Sequence, residues 1–183
     1  MSPHALFPAL ISPTDWPLLA NAVQRMHGSS RHVHARGMAQ VEGASHFPAK
    51  LLRRLLGLPE PGKDQPLELT IEREGGRETW TRLFENGQMR STLERSADGK
   101  HLREQLGPMA LYFTLSRDGE TIDWQLKRGR FLGLPVPRAL LGSVLSRSTA
   151  EHGRYVFHID TRLPLLGQLI AYRGWLEITD ERE

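Results

Sequence analysis

The chain has 183 residues, with 24 lysines and arginines against 21 aspartates and glutamates, and no cysteine. That length suits a single domain with a sizeable core. The missing thiols exclude disulfides, thiolate metal sites and thiol chemistry, and interspersed, nearly balanced charge argues against a nucleic-acid face, which would cluster its cations.

Residues 1–13 hold three prolines and are expected to be extended. Thr14 or Asp15 can cap a helix with Pro17 in its first turn, and Leu18, Leu19, Ala22, Val23 and Met26 form one stripe up to Gly28. In residues 31–42, Val33, Ala35, Gly37, Ala39 and Val41 alternate with polar neighbours and predict a strand. Residues 43–45 break it. Residues 48–56 read as a helix stopped by Gly57, and residues 59–66 as a turn-rich connection.

Beyond that point the period changes to two. Strands are expected over 67–72, 78–84, 88–94, 101–106, 110–116 and 121–130. They are joined by turns at Gly75-Gly76, Asn86-Gly87, Asp98-Gly99 and Asp118-Gly119, with a break at Gly107-Pro108. Gly129 and Gly133 mark a bulge or corner. Residues 139–145 are a helical turn or the start of a strand, 143–150 and 153–162 a hairpin, 163–167 a loop and 169–178 a last strand. Residues 179–183 are a charged, frayed tail.

Tight turns force antiparallel neighbours, and a long meander must curl to cover its faces. The expected class is α+β, mostly β: a strongly curved antiparallel meander or partly closed barrel of roughly eight or nine strands, with two short helices capping an open end or lying in the concave face. Residues 14–178 are read as one curved-sheet domain. The N-terminus lacks a signal-peptide pattern, and no run of about 18 apolar residues predicts a transmembrane segment. A cytoplasmic location is expected.

No phosphate loop, dinucleotide fingerprint, nucleophile elbow or zinc-binding helix occurs, so no cofactor or metal is expected. His32 and His34 share one strand face about 7 Å apart, without an identifiable third ligand. Glu104 and Asp123 sit in apolar-rich strands, as does Asp160. Each could be a buried acid, but alternation favours an outward position. Trp80, Arg82 and Phe84 share one strand face, and Trp124 lies between Ile122 and Leu126. An inward Arg82 needs a carboxylate, from an internal partner such as Glu104 or from a ligand. The apolar stretches 131–141 and 163–170, bounded by Phe131, Leu141, Leu163 and Ile170, could plug an end, form a lid or dock a partner.

The segments LLRRLLGLP, ETWTRLF, MRSTL, REQLGP, RFLGLPVPRALL and LPLLGQLIAYRGWL together resemble the bacterial family catalogued as domain of unknown function 4166. Family members often follow a nucleotide-binding part similar to saccharopine dehydrogenases. No such part lies in these residues, so the resemblance implies no redox activity. It implies only that Trp80, Arg82, Arg90, Arg130, Arg138, Tyr172, Arg173 and Trp175 sit in the defining segments. The leading expectation is a non-enzymatic module holding an apolar or amphipathic small molecule. Its candidate ligand-binding residues are Trp80, Arg82, Arg90, Glu104, Trp124, Arg130, Tyr172 and Arg173. A second reading is an accessory domain docking on a separate enzyme through the apolar loops, and a weaker third is a hydrolase or isomerase with Glu104 as a buried acid.

Overall fold

A computed structural model describes residues 5–44 and 46–183. Short helices α1 (Leu6–Leu10) and α2 (Asn21–Met26), with a 3-10 turn at Trp16–Leu18 between them, precede β1 (His32–Gly43). Helix α3 (Phe47–Leu56) leads to β2 (Gly62–Glu74), β3 (Arg77–Phe84), β4 (Gly87–Arg95), β5 (Leu102–Leu106), β6 (Met109–Asp118) and β7 (Thr121–Phe131). After the two-residue β8 (Leu134–Pro135) and α4 (Arg138–Leu141) come β9 (Ser143–Glu151), β10 (Arg154–Leu163) and β11 (Gly167–Arg182).

Neighbouring strands pair antiparallel from β1 to β7, and then β7–β9, β9–β10 and β10–β11. The β1–β11 ladder closes a barrel of ten strands, with β8 outside it on β7. Closure removes the exposed sheet edges that an open meander leaves. The structure thus completes the partly closed barrel expected from the turns. Register shifts at His34/Ala35, Ala39/Val41 and Tyr112/Phe113 bend the strands where the sheet curls.

Alternation sends one face of each of the ten barrel strands inward. Val33, Ala35, Leu67, Leu69, Ile71, Leu93, Leu102, Phe113, Ile122 and Leu176 are buried there. At the closing ladder the β1 and β11 backbones approach so closely that a β-carbon on Gly37 would overlap the Trp175 carbonyl. Gly37→Ala is expected to cost about 1–3 kcal/mol, because backbone must move to admit it. Urea unfolding measures this, and an unchanged midpoint would show that the ladder yields freely.

Several expectations are corrected. Of the extended segment 1–13, residues 1–4 lie outside the described residues, as does Ser45 of the expected break at 43–45. Leu6–Leu10 is helical, and Leu6, Phe7 and Ile11 are buried in the core. Burial of this apolar run inside the barrel end overrides the local effect of its prolines. The expected helix over 14–27 divides at Leu19 and Ala20, leaving Leu18 exposed. Strand β2 begins at Gly62, inside the expected turn-rich connection, because it pairs with Val41. The tail is ordered into β11 as far as Arg182, which pairs with His32.

Helix α3 ends as expected at Gly57, whose φ is 65°. Its apolar residues divide, however: Ala49 is buried and Leu52 and Leu56 are half-buried, whereas Phe47, Leu51 and Leu55 are exposed while Arg53 is buried. Arg53 donates to the Ala44 carbonyl at 2.6 Å and to Glu60 at 3.3 Å, tying together the two ends of the β1–β2 connection.

Candidate functional site: the barrel interior

The two barrel ends differ. Helices α1 and α2 fill the end at which β1 starts. The Met26 and Ser30 carbonyls there each accept a 2.7 Å bond from Arg73, and Arg73 pairs with Glu78 at 3.0 Å. Both partners of that pair are buried. Glu78 also accepts from Trp80 Nε1 at 2.8 Å. Burial pushes the Glu78 carboxyl above the usual range, against the opposing charge of Arg73.

His27, at the end of α2, lies against Phe7, with ring centroids 4.1 Å apart, and against Trp80 at 5.4 Å. Its Nε2 is 3.1 Å from the Tyr155 hydroxyl, which is 2.8 Å from Ser148 Oγ. These rings and Trp124 make an aromatic floor. Burial, and then the charges of Arg73 and Arg82, hold the His27 pKa well below its ordinary value. A depressed histidine contributes stability that is complete above the unfolded pKa and lost as pH falls through the folded one. Stability is therefore expected to drop below about pH 6.5, by up to about 1.4 kcal/mol per pH unit from this group. His27→Gln should flatten that slope. Equal acid slopes in the two proteins, followed by denaturant titration, would remove His27 as the cause.

Above the floor lies a cavity of about 110 Å³. Ten strands leave more room than the eight that side chains just fill. The wall is mostly apolar, from Leu67, Leu69, Met89, Phe157 and Ile170, and Trp80, Arg82, Glu104, Trp124 and Tyr172 all line it. Of the lining residues, the half-buried ones (Leu56, Leu58, Met109, Leu111, Val144, Ile159 and Thr161) belong to the end that α3 covers. The cavity thus opens beside α3, away from the α1–α2 plug.

Three polar groups converge in this wall. Arg82, 7% exposed, donates to Ser91 Oγ at 3.1 Å, and its guanidinium carbon lies 4.9 Å from the Trp80 ring centroid. Among the described residues, no carboxylate oxygen lies within the 4.0 Å of an ion pair. The expected internal Arg82–Glu104 pair is therefore not formed. Glu104 is equally buried and faces inward, contrary to the outward position that alternation favoured. Its strand, Leu102–Leu106, buries Leu102, Glu104 and Leu106 on one face. Tyr172 is buried too, and burial raises its hydroxyl pKa, with the charges of Arg82 and Glu104 acting on it in opposite senses. Neither Glu104 nor Tyr172 has a side-chain hydrogen-bond partner among the described residues. Unspent donors and acceptors therefore face an apolar space.

The structure thus brings together Trp80, Arg82, Glu104, Trp124 and Tyr172. It sets Arg90, Arg130 and Arg173 on the outer face, exposed. Asp123 points outward to Arg147 at 2.6 Å, and Asp160 pairs with Arg162 at 3.1 Å. His34 bonds Thr179 at 2.8 Å and lies 3.6 Å from Glu68. Sequence reasoning missed Glu78, Arg73, His27 and Tyr155. Glu78 was accessible to it, since it alternates with Trp80 and Arg82. The other three are assembled by tertiary contacts from distant segments.

Comparison with curated proteins finds no match. A family model matches residues 19–176, which span all eleven strands as far as Leu176 and every residue of the cavity wall. The chain accordingly belongs to the family described as Domain of unknown function (DUF4166).

Proposed function

We propose that the barrel is a binding module for a small amphipathic molecule whose polar head meets Arg82, Glu104 and Tyr172 and whose apolar body lies against Trp80, Trp124 and the leucine wall. The observation that carries this reading is Arg82, a buried cation in an apolar cavity without a carboxylate partner among the described residues. Burying a charge is expensive unless it is paired, and a carboxylate offers a guanidinium two parallel, charge-assisted bonds. Arg82 thus selects a carboxylate or another strong acceptor, while Glu104 accepts from a donor on the same head. At about 110 Å³ the cavity is smaller than the roughly 150 Å³ that holds benzene, so it takes the head and the first part of an alkyl chain, and the rest of the chain leaves through the mouth beside α3.

Titration of the protein with decanoate, followed by tryptophan fluorescence, to which Trp80 and Trp124 in the cavity contribute beside Trp16 and Trp175, tests the reading. A saturable change with decanoate, weaker with decanol, is expected. A flat response to both amphiphiles would count against a ligand site in the barrel.

A further inference from the structure

Around the mouth, four contacts link the covering elements into a ring. His46, which precedes α3, bonds the Leu166 carbonyl in the β10–β11 turn at 3.1 Å. At the other end of α3, a β-carbon on Gly107, in the β5–β6 turn, would lie 3.4 Å from the Leu55 carbonyl. Leu132, in the β7–β8 turn, donates to the Pro108 carbonyl at 2.9 Å. Gly142, closing α4, packs against the Arg162 carbonyl beside the β10–β11 turn, which returns to His46.

This ring carries most of the exposed large apolar side chains among the described residues. Leu51 and Leu55 on α3, Leu132 and Leu134 at the β7–β8 turn, Leu140 on α4, and Leu165 are all more than half exposed. Its charge is mainly positive. The stretches 46–59, 105–117, 124–150 and 161–176, which build the ring and the strands entering it, contain no aspartate or glutamate. Lys50, Arg54, Arg130 and Arg138 are exposed in it, and none has an ion-pair partner among the described residues. Other cations of these stretches do find partners: Arg53 pairs with Glu60, Arg117 with Asp15, Arg128 with Asp98, Arg147 with Asp118 and Asp123, and Arg162 with Asp160. Other acids at this end, Glu42, Asp64 and Glu85, are confined to the β1–β4 side.

Apolar side chains rimmed by unpaired cations suit an interface whose surface is anionic and whose interior is hydrocarbon. We infer that this rim docks the barrel mouth onto an anionic phospholipid bilayer. The leucines enter the boundary between headgroups and acyl chains, and Lys50, Arg54 and Arg138 meet the lipid phosphates. The mouth of the cavity then faces the bilayer, where a small amphiphile partitions. That last link rests on the cavity reading above, whereas the docking rests on the rim alone.

The test is flotation of the protein with vesicles of phosphatidylglycerol and phosphatidylcholine, against vesicles of phosphatidylcholine alone. Binding to the anionic vesicles only, weakening as salt is raised, is expected. The variant Lys50→Glu, Arg54→Glu, Arg138→Glu should bind at least about a hundredfold less tightly. Leu132→Ser with Leu165→Ser should also reduce flotation. Both variants change exposed side chains outside the cavity wall, so both should keep the decanoate response. No flotation of the wild type, or equal flotation with both vesicle types, would overturn the docking. So would a dimer of this chain, or a stoichiometric protein partner, that depends on these leucines and excludes vesicles. Flotation without a decanoate response would instead overturn the cavity reading and leave the docking standing.

Discussion

Arg73→Met is expected to destabilise the protein by about 3–5 kcal/mol, because removing one partner of a buried ion pair leaves the other as an uncompensated buried charge. Glu78 would be that charge, and the Met26 and Ser30 carbonyls would lose their donors at the same time. For a chain of this length the melting temperature should fall by about 10 °C. The loss should also depend on pH in a defined sense. Burial already raises the Glu78 pKa and Arg73 opposes it, so losing Arg73 raises it further. A carboxyl with a raised folded pKa stabilises the native state when protonated, and that stability is lost as pH rises through the folded value. The variant should therefore recover part of its deficit between pH 7 and pH 5. Arg73→Met with Glu78→Gln should be more stable at pH 7 than Arg73→Met alone. A deficit independent of pH, with no recovery in the double variant, would mean that the pair is not what secures the α1–α2 plug.

Arg82→Met is expected to act in the opposite direction on stability and strongly on binding. Among the described residues no carboxylate pairs with Arg82, so a methionine of similar length replaces a costly buried charge with an apolar body. Urea unfolding should give equal or greater stability. Decanoate affinity should fall by at least about tenfold, since a charge-assisted bond contributes about 1.5–3 kcal/mol. The two readouts together separate a ligand anchor from a packing residue. A purely structural Arg82 would lower stability on removal and leave binding alone.

The architecture was largely legible in the sequence because its turns are local. Gly75-Gly76 and Gly119 take the positive φ that their hairpins require, and the alternation in ETWTRLF places Trp80, Arg82 and Phe84 together on the inner face. Closure of the barrel was not legible, because the β1–β11 ladder joins residues some 140 positions apart and no local pattern encodes that pairing. The same limit hid α1: Phe7 is buried only because the barrel end receives it. Within the site, Trp80, Arg82, Trp124 and Tyr172 followed from strand period and residue type. Glu104 was a candidate too, but its charge argued for an outward position, and in this barrel it shares the inward face of Leu102 and Leu106. On the outer face, Arg90 and Arg173 have the opposite parity to the wall residues Met89 and Tyr172, whereas Arg130 has the parity of Trp124 and is turned outward by the register shift opposite Tyr112/Phe113. Helix α3 shows a further limit. Its periodicity is clear, yet which face turns inward was decided by Arg53 reaching the Ala44 carbonyl.

Native mass spectrometry of the purified protein, with Arg82→Met beside it, tests the barrel as a ligand carrier most directly. The wild type, incubated with decanoate and stripped of excess, should retain one adduct of decanoate mass per chain, and Arg82→Met should show the bare chain under the same conditions. A bare wild-type chain, or adducts of equal occupancy in both proteins, would contradict the assignment of Arg82 and its cavity as the binding site.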